Sequence, residues 1–181
     1  PASPLAHSLQ LGERGPLWDS ASGKAILAGL CPPERDQCLK TLPRLAATAA
    51  TDTSLERMRN ELARTARRGV AVARDSVILG VTAFAAAVFD ANARPVAALS
   101  IALQSARVTS SLEKRVVDAL LPAAAEISRR LGYRGPLDVA RQRPDALIAD
   151  TSAAARRAPR GNPGREQAAT GPGRAATARA K

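Results

Sequence analysis

Leu79-Gly80-Val81-Thr82-Ala83-Phe84-Ala85-Ala86-Ala87-Val88-Phe89-Asp90-Ala91-Asn92-Ala93-Arg94-Pro95-Val96-Ala97-Ala98-Leu99-Ser100-Ile101-Ala102-Leu103 is the stretch from which the architecture can be read. Two apolar runs containing Val, Ile, Thr and Phe flank the loop Asp90–Pro95, whose Asp, Asn and Pro are turn formers. The pattern predicts a β-hairpin with strands over Thr82–Phe89 and Val96–Leu103. Strand alternation then puts Thr82, Phe84, Ala86 and Val88 on one face and Val81, Ala83, Ala85 and Ala87 on the other. Ser100 and Ala102 share a face of the second strand. Phe84, Val88, Leu99 and Ile101 are the expected apolar core of the hairpin.

Helices surround it. Ser20 is placed to cap a helix reaching about Leu30, and Pro32-Pro33 forbids its continuation. Glu34–Leu39 can form a short helix, and Leu42–Thr51 reads as a connector. Leu55, Met58, Leu62 and Ala66 make one stripe of a helix over Leu55–Arg68. Thr53 and Glu56 stand at capping-box spacing before it, and Gly69 is placed to end it. Val70–Ala73 is a short strand. A last helix carries the stripe Leu112, Val116, Leu120, Ala124, Ile127 and Leu131, with Ser110 and Glu113 at capping-box spacing and Gly132 as its stop. Pro122 interrupts it, so a kink or two abutting helices are expected.

The ends of the chain differ from this middle. Residues 1–15 read as a strand or arm, with Leu5 to Leu11 partly alternating. Beyond Tyr133 the sequence becomes a basic Ala/Arg/Pro/Gly-rich tail without apolar periodicity. It cannot bury enough surface to offset its ordering entropy, so disorder is expected from about residue 151. The domain assignment is therefore 1–133 for the folded unit and 134–181 for the tail.

A length of 181 residues allows one domain with a core, and aromatic residues are only 2% of the chain, so that core must be built from small aliphatics. The formal net charge is +11, with 27 Lys and Arg against 16 Asp and Glu. Residues 134–181 hold 10 of those basic side chains and 4 of the acidic ones. A charge of this sign suits nucleic acid or another anionic surface, and it is also what Arg- and Ala-rich coding produces. No basic-then-apolar leader opens the sequence and no apolar run is long enough to span a membrane, so a cytoplasmic protein is expected.

Catalytic chemistry has little support. His7 is the sole histidine and has no Ser or Asp partner at a recognisable spacing. Ser20-Ala21-Ser22-Gly23-Lys24-Ala25 lacks the spacing of a phosphate-binding loop, and Ala25 stands where that loop needs Ser or Thr. Cys31 and Cys38 form no Cys-x-x-Cys pair and read as two reduced thiols. No catalytic residue, metal or cofactor is expected. The turn Ser20–Gly23 is the more informative chemistry. First-turn amides of a helix have no intrahelical acceptor, the helix dipole adds partial positive charge, and small side chains let an anion approach. The same residues also make an ordinary cap, and local sequence does not separate the two.

Taken in order, Pro16–Ala28, Ala50–Val70, Leu79–Asp90, Val96–Ala102, Arg107–Thr109 and Ala125–Tyr133 resemble the effector-binding domain of the isocitrate-lyase-regulator (IclR) family of bacterial transcriptional regulators. The resemblance runs from roughly Leu11 to Tyr133. It implies an α/β (α+β), GAF-like fold, a curved antiparallel sheet with flanking helices. It implies a pocket for a small organic or aromatic carboxylate that modulates operator binding by a separate winged helix-turn-helix, and assembly into homodimers or tetramers. By the family pattern the domain would be N-terminally incomplete here, lacking its first helix and strands as well as the helix-turn-helix. Carried over by position, the amides of Ala21 and Ser22 would hold the effector's carboxylate, and Val81, Ala83, Ser100 and Ala102 would form the floor. The chain departs from the family where Ala83 replaces a Cys, Ala102 a Ser, and Ala73 an acidic residue, the nearest carboxylate being Asp75. Ser100 is then the only polar side chain of the set, which implies an aromatic or longer-chain acid rather than a two-carbon oxo-acid. Two other readings stay open on sequence alone: a nucleic-acid-associating protein acting through its tail, and a free-standing small-molecule-binding module.

Overall fold

In the computed structural model, which describes Gly12 and residues 14–135, the chain forms helices α1 (Ala21–Gly29), α2 (Pro32–Thr41) and α3 (Leu55–Arg68), then strands β1 (Ala71–Arg74), β2 (Val81–Phe89) and β3 (Pro95–Gln104). A short 3-10 turn over Ser105–Arg107 leads into helix α4 (Ser110–Arg130). The strands make one antiparallel sheet in the order β1-β2-β3. Its central ladder is the expected hairpin, with Ala83 opposite Ala102 and Ala85 opposite Ser100. At the hairpin turn Asp90 Oδ1 accepts from the amides of Asn92 and Arg94, and Ala93 takes a left-handed φ of 59°.

Helices cover both faces. Phe84, Ala86 and Val88 pack with Val116, Val117, Leu120 and Ala124 of α4, and Leu99 and Ile101 join from β3. On the other face Ala71, Ala73 and Ala85 meet Ala21 and Ala25 of α1. Alternation along β2 produces this division, as the sequence predicts. A third cluster, Trp18, Leu27, Leu39, Met58 and Leu62, ties α1 to α2 and α3. The mixed architecture of antiparallel sheet and flanking helices is the predicted fold class.

The local differences have local causes. The cap of α3 is Ser54, whose side chain accepts from the Arg57 amide, rather than Thr53. The cap of α4 is Thr109, accepting from Leu112, rather than Ser110. Each true cap lies one residue from the one expected, because hydroxyl residues are adjacent at both sites. Helix α2 is longer than predicted because Pro32 and Pro33 open it instead of preceding it; a proline in the first turn forfeits no helical bond. Helix α4 runs unbroken through Pro122, so two abutting helices are not formed. Pro122 lies on the exposed side, where solvent can take the bond that the Asp118 carbonyl loses. Gly132, at φ 88°, ends α4: its amide donates to Arg129 O and that of Tyr133 to Ser128 O, a Schellman motif. The arm over Leu5–Leu11 and the disorder expected from residue 151 lie outside the described residues.

Candidate functional site

Helix α1 begins under a tight turn. Ser20 Oγ accepts from the Gly23 amide at 3.0 Å and donates to Pro16 O at 2.7 Å, and the Lys24 amide donates to Ser20 O. The amides of Ala21 and Ser22 precede the first intrahelical acceptor and are free of that ladder. Leu17 crosses directly over this turn. A Cβ on Gly23 would stand 2.1 Å from the Leu17 carbonyl oxygen, so only glycine admits the crossing. Ala21 and Ala25, with no bulk beyond Cβ, set the helix down on Ala71, Ala73 and Ala85.

The sheet supplies the floor. Ala83 faces Ala73 on one side and Ala102 on the other, Val81 faces Gln104, and Ser100 faces Ala85. Ala98 packs in the α1-side cluster, so Ser100 and Ala102, two and four residues on, share that face. Both are exposed, while Val81 and Ala83 are half-buried. Of the six residues singled out from sequence, Val81, Ala83, Ser100 and Ala102 thus form one patch of sheet. Ala21 belongs to the helix turn packed against that face, and Ser22 is the half-buried residue after it.

The turn is held from outside by hydroxyl side chains. Ser76 Oγ donates to Asp19 O at 3.0 Å, Thr51 Oγ1 to Ser76 O at 2.6 Å, and Thr48 Oγ1 to Asp75 O at 2.6 Å. Asp75, at φ 54°, accepts through Oδ1 from the Gly80 amide and Ser105 Oγ. Trp18 Nε1 donates to Asp52 O at 2.7 Å. The connector 48–52 and the β1–β2 loop are therefore fastened to the start of α1. The Asp75 carboxylate is thus engaged within its own loop and by Ser105.

This enclosure buries a group that sequence reading passed over. Asp19 is 2% exposed, and neither carboxyl oxygen has a well-formed hydrogen-bond partner among the described residues. Burial pushes its carboxyl above the usual range, against the pull of its own backbone amide and the charge of Lys24. Lys24 is lowered by burial, with Glu61, Asp19 and Asp52 acting in the opposite sense. The only sequence signal is an acidic residue directly before a cap, which by itself reads as a helix-start charge. Cys31 and Cys38 are free thiols, and among the described residues no three His, Cys, Asp or Glu side chains gather as a metal site. No helix among those residues is long and apolar enough to cross a membrane.

Residues 2–129 match the family model described as bacterial transcriptional regulator IclR C-terminal. The probable transcriptional regulator SauR of Cupriavidus necator is 36% identical over 124 residues, covering 68% of this chain and 49% of SauR. The crystal structure of Thermotoga maritima IclR superposes with a TM-score of 0.63 at 34% identity, covering 65% of this chain and 47% of that one. At 23% identity and a TM-score of 0.56 the fold is also that of the inducer-binding domain of an Acinetobacter PobR double mutant, solved with 3-hydroxybenzoic acid; 67% of each chain is covered. The chain spans about half the length of the curated relatives it matches. From the hairpin outward, sequence, topology and relatives agree: this chain belongs to the IclR family of bacterial transcriptional regulators, through their C-terminal domain.

Proposed function

We propose that this domain is the effector-sensing and oligomerisation module of a DNA-binding transcriptional regulator in the cytoplasm. Its ligand is a small organic or aromatic carboxylate, and ligand binding modulates operator binding by a separate helix-turn-helix domain. The carboxylate rests on the amides of Ala21 and Ser22, Ser100 contributes a hydroxyl, and Val81, Ala83 and Ala102 pack on the apolar body. The observation that carries this reading is the juxtaposition of first-turn amides outside the helical ladder with an alanine-floored patch of sheet left open at Ser100 and Ala102. The two backbone donors supply the polar recognition, and the alanine floor leaves width for a ring. The PobR domain's 3-hydroxybenzoic acid is an aromatic acid of this kind.

Calorimetry with a panel of aromatic and aliphatic acids tests the site. Ser22→Pro removes one amide in the first turn, where a helix tolerates proline. Ala83→Leu fills the floor and leaves the amides alone. Both variants are expected to lose binding of the preferred acid. Undiminished affinity in both places the ligand elsewhere. Oligomerisation has separate support: among the described residues β3 is an edge strand of ten residues without a charged side chain, the kind of edge that pairs with another chain. Light scattering is expected to show self-association, and a stable monomer would rule that role out for this stretch.

A further inference from the structure

A second cavity lies about 12 Å along α1 from its first turn, by the rise from Ala21 to Gly29. Its volume is about 250 Å³, and its walls include Ala28 and Gly29 of α1, Thr65 and Gly69 at the end of α3, Phe89 of β2 and Leu121 of α4. The topology creates it. Strand β1 begins at Ala71, opposite Ala85, so among the described residues β2 continues through Phe89 with no strand on that edge. Alternation turns the amide and carbonyl of Ala87 toward that edge. Further along the same edge, the Phe89 amide is taken by Ser128 Oγ at 3.0 Å, which itself donates to Ala124 O. Between β1 and Ser128 the side chains that reach the gap are mostly alanines, too short to fill it.

Every described lining residue is uncharged, and Thr65 is the only one among them with a polar side chain. Thr65 is 3% exposed, and its hydroxyl has no hydrogen-bond partner among the described residues. A buried hydroxyl without a partner is costly, and native folds rarely leave one so. In a helix threonine divides between two rotamers, and exchanging them swaps hydroxyl and methyl at the wall.

We propose that this cleft is a second small-molecule site, separate from the carboxylate site at the start of α1. Its ligand class is a neutral molecule with a compact apolar body and one hydroxyl, of the phenol or short-chain alcohol type. Size permits a ring, since an apolar cavity of about 150 Å³ already holds benzene. Charge selects against an acid: among the described residues no cation or helix start lines the cleft, and a carboxylate there would lose its hydration without compensation. The hydroxyl of the ligand pairs with Thr65 Oγ1, and the Ala87 amide or carbonyl offers a second partner.

Phenol and toluene are the probes, titrated into the full chain while backbone amide NMR shifts are followed. Phenol is expected to give saturable shifts at Thr65, Gly69 and Phe89 and to bind about five-fold more tightly than toluene, the worth of one ordinary hydrogen bond. Thr65→Val, which keeps the shape and removes the hydroxyl, should bring the two probes to parity. Ala125→Leu, at a half-exposed lining position, should abolish both while the circular dichroism stays that of the wild type. Absence of saturation, shifts confined to Ala21 and Ser22, or a phenol preference that survives Thr65→Val would each overturn the proposal. If Thr65→Val does not fold, the wild-type probe ratio and Ala125→Leu still decide it. The carboxylate site is not involved in these measurements, so either proposal can fail alone.

Discussion

On the α4 side of the sheet Phe84 and Val88 meet Val116, Val117 and Leu120, whereas on the α1 side nearly every contact is made by alanine. The first face removes much apolar area from water per residue. The second removes little, and gains instead a close approach of helix to sheet and the space left around that contact. Stability is therefore concentrated on one face, and both candidate ligand sites lie toward the other or at its margin. Substitutions that fill or empty the two faces should accordingly have opposite signatures.

The largest expected effect is on the packed face. Phe84 is fully buried, and Phe84→Ala should cost about 3–5 kcal/mol in urea unfolding. The next residue toward the N-terminus, Ala83, points to the other face and is half-buried. Ala83→Leu should change stability by less than about 1 kcal/mol while removing acid binding. Comparable destabilisation by both variants would erase the distinction between the faces.

Gly23→Ala comes next. Its new Cβ meets the Leu17 backbone carbonyl, which cannot swing aside as a flexible side-chain end could. A loss of about 1–3 kcal/mol is expected from this overpacking, together with weaker acid binding as the first turn shifts. An unchanged midpoint would mean that Leu17 does not cross the turn closely in solution.

Asp19→Asn tests the buried carboxyl. Burial raises its pKa in the folded protein, so the folded state disfavours the ionised form more than the unfolded chain does. Any contribution Asp19 makes is intact at acid pH, where both states are protonated. It is lost as pH rises from the ordinary carboxylate range through the raised value. Asparagine is neutral throughout. The variant should match the wild type in acid and become the more stable protein toward neutral pH, and removing a negative charge near the amides should also favour a carboxylate ligand there. Parallel stability curves across that range would show that Asp19 is not desolvated.

The hairpin, α3 and the division of β2 between two faces were legible because each is encoded by a local period, two in the strands and 3.6 in the helix. That period also put Val81 with Ala83, and Ser100 with Ala102, on one face of their own strands, whereas the register that brings both pairs to one side of the sheet is not carried by it. What escaped was set by contacts distant in sequence. Asp19 is enclosed where Ser76 fastens its carbonyl and Thr51 in turn fastens Ser76, links across 57 and 25 positions. The cleft at Thr65 depends on where β1 begins relative to β2, and strand ends carry weak sequence signals. The shifted caps at Ser54 and Thr109 arose from neighbouring hydroxyl residues that pattern alone ranks equally.

The smallest effect is also the one that separates two readings of a single turn. Ser20–Gly23 can be a plain helix cap or an anion site, and the two make different demands on Ser20. As a cap, its Oγ satisfies the Gly23 amide, so Ser20→Ala should cost about 1 kcal/mol of stability. As an anion site, the turn relies on the amides of Ala21 and Ser22, which Ser20 Oγ does not occupy. The substitution also leaves the Gly23 amide without its acceptor, adding a donor to the same helix end. Acid affinity, measured under conditions where the variant is fully folded, should therefore hold or rise as stability falls. If affinity instead falls as steeply as in Ser22→Pro, the cap and the ligand site are not separable. Recognition would then depend on the Ser20 hydroxyl rather than on the two free amides.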